Sequence, residues 1–161
     1  MRRTIPALAI LLLVLSPGLH AQAGPHCEVV PKSFAAMHGC FRPLLVFSPS
    51  ARDARLHRQA ALLDADADDM MDRFVLYTPI AAAGPRPPCP LDAPYTVLSA
   101  QQMSNIRQRF HIPGDQFTVL LLDENGSVML RSADPVHPAR LNALIDRTPL
   151  RRAEMQRPGA N

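Results

Sequence analysis

Whatever sulfur chemistry this chain has rests on three cysteines, Cys27, Cys40 and Cys89. A thiol can close a disulfide, hold a metal or act as a nucleophile, and its surroundings decide which. Cys27 follows His26, and Cys40 stands two residues after His38, a donor set of the kind that zinc or copper takes. The spacing is irregular and no regular element holds it, so the expectation is no metal and no cofactor. Cys89 lies between Pro88 and Pro90, in extended chain rather than at a helix start, where thiolates are stabilised. It is the candidate free or redox thiol. Ser48 and Ser50 follow an apolar run, but a serine nucleophile needs a base and none is indicated. Ser50 reads instead as a helix N-cap. The acids Asp64, Asp66, Asp68, Asp69 and Asp72 invite a calcium reading, which fails because Asp69 stands where the loop glycine must be and Val75 where the closing glutamate must be. His57 and His111 have no evident partner and are expected at the surface.

The N-terminus bears on which sulfur chemistry is open. Arg2 and Arg3 precede an apolar stretch over residues 5–15, and Ala21 and Ala23 place small residues at a cleavage site. That pattern reads as a signal peptide over residues 1–23, too short to span a bilayer, which takes about 20 apolar residues. The expected location is periplasmic or secreted, where disulfides form. Three cysteines leave one unpaired within the chain. The 17 basic and 14 acidic residues give a net charge of +3, about +1 without Arg2 and Arg3. Nothing demands nucleic acid as a partner, nor a membrane once the signal is removed. Arginines gather towards the C-terminus and acids near the middle, which predicts a polarised surface.

The elements that position these residues follow from pattern. Residues 24–41, with Pro25, Pro31 and Gly39, read as a lead-in. Residues 42–47 form an apolar run, expected as a strand buried on both faces. A helix is expected over 51–63, where Leu56, Ala60 and Leu63 recur at helical spacing, and a short acidic helical turn over 66–72. Residues 73–78 read as a second strand, and residues 79–94, with seven prolines and glycines, as a stiff extended loop. Ser99 and Gln102 have the form of a capping box opening a helix to about Phe110. Residues 117–122 are a strand, Asn125-Gly126 a hairpin turn and 127–131 its return. Pro138 opens a last helix, which Pro149 ends, and the tail over 150–161 is expected to fray. The order is βαβ, then a helix, then ββα. It predicts an α/β thioredoxin-like domain over 42–149, a three-layer α/β/α sandwich with a mixed sheet and a C-terminal hairpin and helix.

Cys27 and Cys40 bracket a short loop before the first strand. Cys89 follows the second strand and starts from the other sheet edge, about 20 Å away for a six-residue strand. The favoured pair is Cys27–Cys40. Cys40–Cys89 stays open, because the long loop can turn back.

Three segments carry a family resemblance: Arg42-Pro43-Leu44-Leu45-Val46-Phe47-Ser48-Pro49; Phe110-His111-Ile112-Pro113 leading into Phe117-Thr118-Val119-Leu120-Leu121-Leu122; and Leu144-Ile145-Asp146 through Pro149 to Met155. Together they resemble the bacterial branch of a thioredoxin-like family known as domain of unknown function 4174. Its animal relatives include extracellular sushi-repeat and coiled-coil-domain-containing matrix proteins. The resemblance implies the fold and export, over roughly residues 33–156, and implies no activity. A thioredoxin carries Cys-x-x-Cys at the start of the helix after its first core strand; residues 48–53 hold that place without a cysteine. Its cis-proline before the third strand is replaced by Phe117. The reading that follows is a non-catalytic binding or interaction module, with a protein or small-molecule partner meeting a contact rim of Ser48, Ser50, Asp53, the loop 79–98 and Phe117. The alternative is a thiol-dependent redox protein acting through Cys89 with Cys27 or Cys40.

Overall fold

The computed structural model describes residues 27–156. The expected signal peptide, its cleavage site, His26 and residues 157–161 lie outside them. After a 3₁₀ turn at Ala35–Met37 come β1 (Arg42–Ser48), α1 (Ala54–Asp64), α2 (Ala67–Asp72), β2 (Val75–Ala81), α3 (Ala100–Arg109), β3 (Thr118–Leu122), β4 (Val128–Ser132), α4 (Pro138–Ile145) and α5 (Pro149–Met155). The strands form one mixed sheet in the order β2-β1-β3-β4. β1 pairs parallel with β2 and antiparallel with β3, and β3 pairs antiparallel with β4.

Strand side chains alternate between faces, so the sheet separates two cores. Leu44, Val46, Val75, Tyr77, Val119 and Leu121 point to the side where α1, α2 and α4 supply Leu56, Leu63, Met70, Leu141 and Ile145. Leu45, Phe47, Leu76, Ile80, Leu120 and Leu122 point to the other side and meet Met37, Leu98, Ile106 and Ile112. Every residue of β1 is buried, as its unbroken apolar run implies. This is the expected three-layer α/β/α sandwich. The Ser99 capping box forms as its spacing predicts, with both reciprocal bonds present.

Four local expectations are corrected. β2 continues through Pro79 to Ala81 instead of stopping at Thr78. It is an edge strand, and Pro79 has the same parity as Tyr77, whose N–H and C=O face outward to Pro94 and Thr96. The proline therefore lacks a donor only on the side away from β1. The proline-rich loop is also pinned, because the Asp64 carboxylate accepts from the N–H groups of Leu91, Asp92 and Ala93 at 2.9–3.1 Å. α1 starts three residues later than expected, with Asp53 as N-cap, and Ser50 Oγ accepts only from Arg52 N, 3.1 Å. Most consequential is the tail. Pro149 begins a helix instead of ending one: it occupies the first turn of α5, which Thr148 caps through its hydroxyl, and Arg151 is buried.

α5 is held by ions. Arg42, fully buried at the start of β1, donates to both Glu154 carboxylate oxygens (3.0 and 3.3 Å), pairs with Glu124, and donates to the carbonyl of Arg73 at 2.7 Å. Arg151 pairs with Asp72 and reaches Glu154, and Arg73 pairs with Asp146, Asp69 and Asp72. The central acids and a C-terminal arginine, expected to polarise the surface, thus partly neutralise each other here.

Candidate functional site

The place of interest is the C-terminal end of β1 and β2, where residues 48–53 hold the position of a thioredoxin's cysteine pair. Ser48 is fully buried, so it is not a contact residue: its hydroxyl donates to the carbonyl of Ser50 at 2.7 Å. The loop is closed from the side. Ala51 N donates to Ala83 O and Ala82 N to Ser48 O, each at 2.9 Å. Gly84, at φ +99°, lies so close that a Cβ there would stand 3.3 Å from the Ala51 methyl. His57 Nε2 lies 3.1 Å from the Ala51 carbonyl.

Beneath the loop lies Arg107. Its guanidinium donates to the carbonyls of Ser48, the last residue of β1, and Ile80, one residue before the end of β2, and to that of Pro113 at 2.9 Å. It packs over the Phe47 ring, 5.5 Å from the centroid. No carboxylate answers this cation among the described residues, and burial pushes its pKa below the usual arginine value. Three carbonyl dipoles supply the compensation instead. Arg107 was not singled out from the sequence, although the pattern contained it. Met103, Ile106 and Phe110 mark the inward side of α3, and position 107 falls on that side at helical spacing.

On the neighbouring edge Asp53 opens α1. Its carboxylate accepts from Arg55 N at 2.9 Å and from the Arg55 guanidinium at 2.7 and 3.1 Å. That guanidinium holds the Asp53 carboxyl below the usual carboxylate range. Arg55 in turn lies over the Phe117 ring, 4.7 Å from its centroid, and Phe117 is buried. Phe117 is therefore the floor of this edge and not an exposed contact. Beside it opens a polar cleft of about 500 Å³ lined by Arg55, Asp115, Gln116, Thr118, Arg131 and Ser132. Of the expected rim, Ser50 and Asp53 remain partly exposed, and the loop 79–98 is exposed over residues 82–86.

The cysteines fall elsewhere. Cys27 and Cys40 are joined, with sulfurs 2.01 Å apart, in the favoured pairing. Cys89 is free and half-buried, and its thiol lies 3.6 Å from the carbonyl of Pro87. Tyr77 lies towards it. Burial above all, and Cys89 to a smaller degree, push the pKa of that phenol up. Among the described residues there is no group of three metal-ligating side chains.

The fold has known structural counterparts. The chain is similar to a thioredoxin peroxidase I from Plasmodium yoelii, at 18% identity over 76% of this chain and 80% of that one, with a TM-score of 0.55. It is similar to a reduced 2-Cys peroxiredoxin from Plasmodium vivax, at 17% identity over 76% and 84%, with a TM-score of 0.57. StoA from Bacillus subtilis matches at 13% identity over 65% and 82%, with a TM-score of 0.48. At such identities the likeness is one of fold, and the fold is thioredoxin-like. No curated protein matches the chain. The family model described as a domain of unknown function, DUF4174, matches residues 33–154, from just before the 3₁₀ turn to the glutamate that pairs with Arg42, and the chain belongs to that family.

Proposed function

We propose that this protein is an exported, non-catalytic interaction module that keeps a thioredoxin-like scaffold and uses its open edge for binding. The observation that carries this reading is the filling of the old reaction centre. Disulfide exchange needs a thiolate at a helix start and a second thiol close enough to resolve the mixed disulfide. Residues 48–55 read Ser-Pro-Ser-Ala-Arg-Asp-Ala-Arg. The electrostatic help at the start of α1 falls on Asp53 and Arg55, which satisfy each other. The adjoining strand ends are tied to Arg107. Cys27 and Cys40 are spent on each other as a staple, which suits an oxidising compartment. The cleft beside Phe117, with Arg55 and Arg131 at its walls, is the contact surface for a protein or small-molecule partner.

The test is insulin reduction with dithiothreitol as electron donor, comparing the protein with its Cys89→Ser variant. The expected result is a rate at background for both. Turnover well above background that disappears in the variant would replace this reading with thiol redox chemistry through Cys89.

A further inference from the structure

At the opposite end of the sheet, we propose, the cavity between the 3₁₀ turn and the β3–β4 hairpin binds a small organic ammonium ion carried on an apolar body. The cavity measures about 400 Å³, within the range of small-ligand sites. Phe34, Met37 and Pro43 give it an apolar wall, and the hairpin residues Asp123 and Glu124 give it two carboxylates.

Charge decides the ligand class. Glu124 is only 9% exposed. One of its carboxylate oxygens pairs with Arg42, and Oε2 makes no hydrogen bond among the described residues. Arg42 does not neutralise it alone, because the same guanidinium serves Glu154. Followed outward, the network joins three guanidiniums, Arg42, Arg73 and Arg151, to five carboxylates: Glu124, Glu154, Asp69, Asp72 and Asp146. Glu124 is the member of the network that lines the cavity, and it shares the one guanidinium it meets, that of Arg42, with Glu154. Asp123 adds the second carboxylate of the lining. Its Oδ1 accepts from Asn125 N (2.9 Å) and Ser127 N (2.7 Å), and its other oxygen is left for a ligand.

Two lining groups work the other way. Arg109 lies over the Phe34 and Phe110 rings at 5.2 and 5.6 Å, exposed at the mouth. His38, exposed on the 3₁₀ turn, adds positive charge only when protonated. Neither reaches Glu124 by any ion pair among the described residues. The position of Arg109 itself shows that the aromatic wall accepts a cation on its face. An anion placed here would be desolvated beside two carboxylates, and a metal would find fewer than three ligating groups. An ammonium instead gains charge-assisted hydrogen bonds from the unoccupied oxygens, while its apolar body covers the partly exposed Phe34 ring.

The site shares no residue with the cleft beside Phe117, so it stands or falls independently. The experiment is a chemical-shift titration of the isotope-labelled protein with phenethylamine, 2-phenylethanol and phenylacetate as probes. Phenethylamine is expected to bind at least about tenfold more tightly than the other two, a difference of about 1.4 kcal/mol, with the largest shifts at the amides of Ala35 and Gly126. Glu124→Gln is expected to weaken phenethylamine about tenfold. Because Glu124 is buried, Asp123→Asn provides a second variant that keeps the turn acceptor and removes only charge; it is expected to weaken binding severalfold. Equal affinity for the amine and the alcohol, shifts confined to other regions, no shift at millimolar amine, or an affinity untouched by Asp123→Asn would each overturn the proposal.

Discussion

Arg107 exchanges a carboxylate partner for three carbonyls, two of them at the ends of parallel strands. Removing its donors leaves those oxygens buried and unpaired, a loss of about 1–3 kcal/mol for a polar group in that state. Arg107→Met keeps much of the stem and lacks the fork, so urea unfolding is expected to show a loss in that range; a loss below about 0.5 kcal/mol would mean that water takes over the role. The Asp64 carboxylate makes a second single-residue test. Burial alone would raise its pKa, but the N–H groups of Leu91, Asp92 and Ala93 outweigh that and hold it below the ordinary value. A carboxyl lowered in the folded state contributes stability that is fully present above its unfolded pKa, about 3.9, and is lost as pH falls through the lower folded value. Asp53, lowered by Arg55, has the same sign. Asp64→Asn is therefore expected to lower stability at neutral pH and to flatten its fall below about pH 4. An unchanged acid slope would show that the loop contacts do not discriminate charge. Neither Arg107 nor Asp64 was legible in these roles. Their partners are main-chain groups of distant segments, and side-chain identity carries no record of which carbonyl or amide will arrive.

Regular elements were far more legible, because their determinants are local. The Ser99 capping box, the turn at Gly126, Pro138 in the first turn of α4 and the doubly buried β1 all form where pattern placed them. The misplacements share one cause. Pro79, Pro149 and Ser50 each have two local meanings, and tertiary pairing selects between them. A proline stops a helix or begins one, and it is excluded from a strand or tolerated at its outer side. For α5 the selecting contact is Arg42 with Glu154, residues 112 positions apart. Breaking a buried pair from one side leaves an uncompensated charge and costs about 3–5 kcal/mol. Arg42→Met, which strands both Glu124 and Glu154, is expected to fall in that range by urea denaturation, and Glu154→Gln to cost less, because a glutamine oxygen still accepts from the guanidinium. Equal effects of the two would mean that Glu124 contributes nothing.

At the scale of the molecule, the mixed sheet and its layers followed from the sequence of elements and the handedness of the crossover, which leave few alternatives. The candidate site was legible as a place and not as a surface. Residues 48–53 and Phe117 do meet at one edge, but Ser48 and Phe117 face inward, since strand-end parity and the Arg55 stack lie beyond what spacing encodes. Export belongs to this scale as well. Mass spectrometry of the protein recovered from outside the cytoplasm is expected to give an N-terminus near Gly24, and an intact Met1 in a cytosolic fraction would refute it.

The Arg42–Glu154 pair also joins two distant stretches of the chain. Among the described residues Arg42 belongs to the first strand, and one of its two carboxylates belongs to the last helix. Without that helix the buried guanidinium would be short of one counter-charge, a state that the desolvation of ions disfavours. Removing residues 149–155 is thus expected to be felt at β1, although Glu124 and the Arg73 carbonyl still face the guanidinium. The pair makes the opening strand of the sheet and the helix over residues 149–155 interdependent, so a change at either is transmitted to the other across the whole span of the domain.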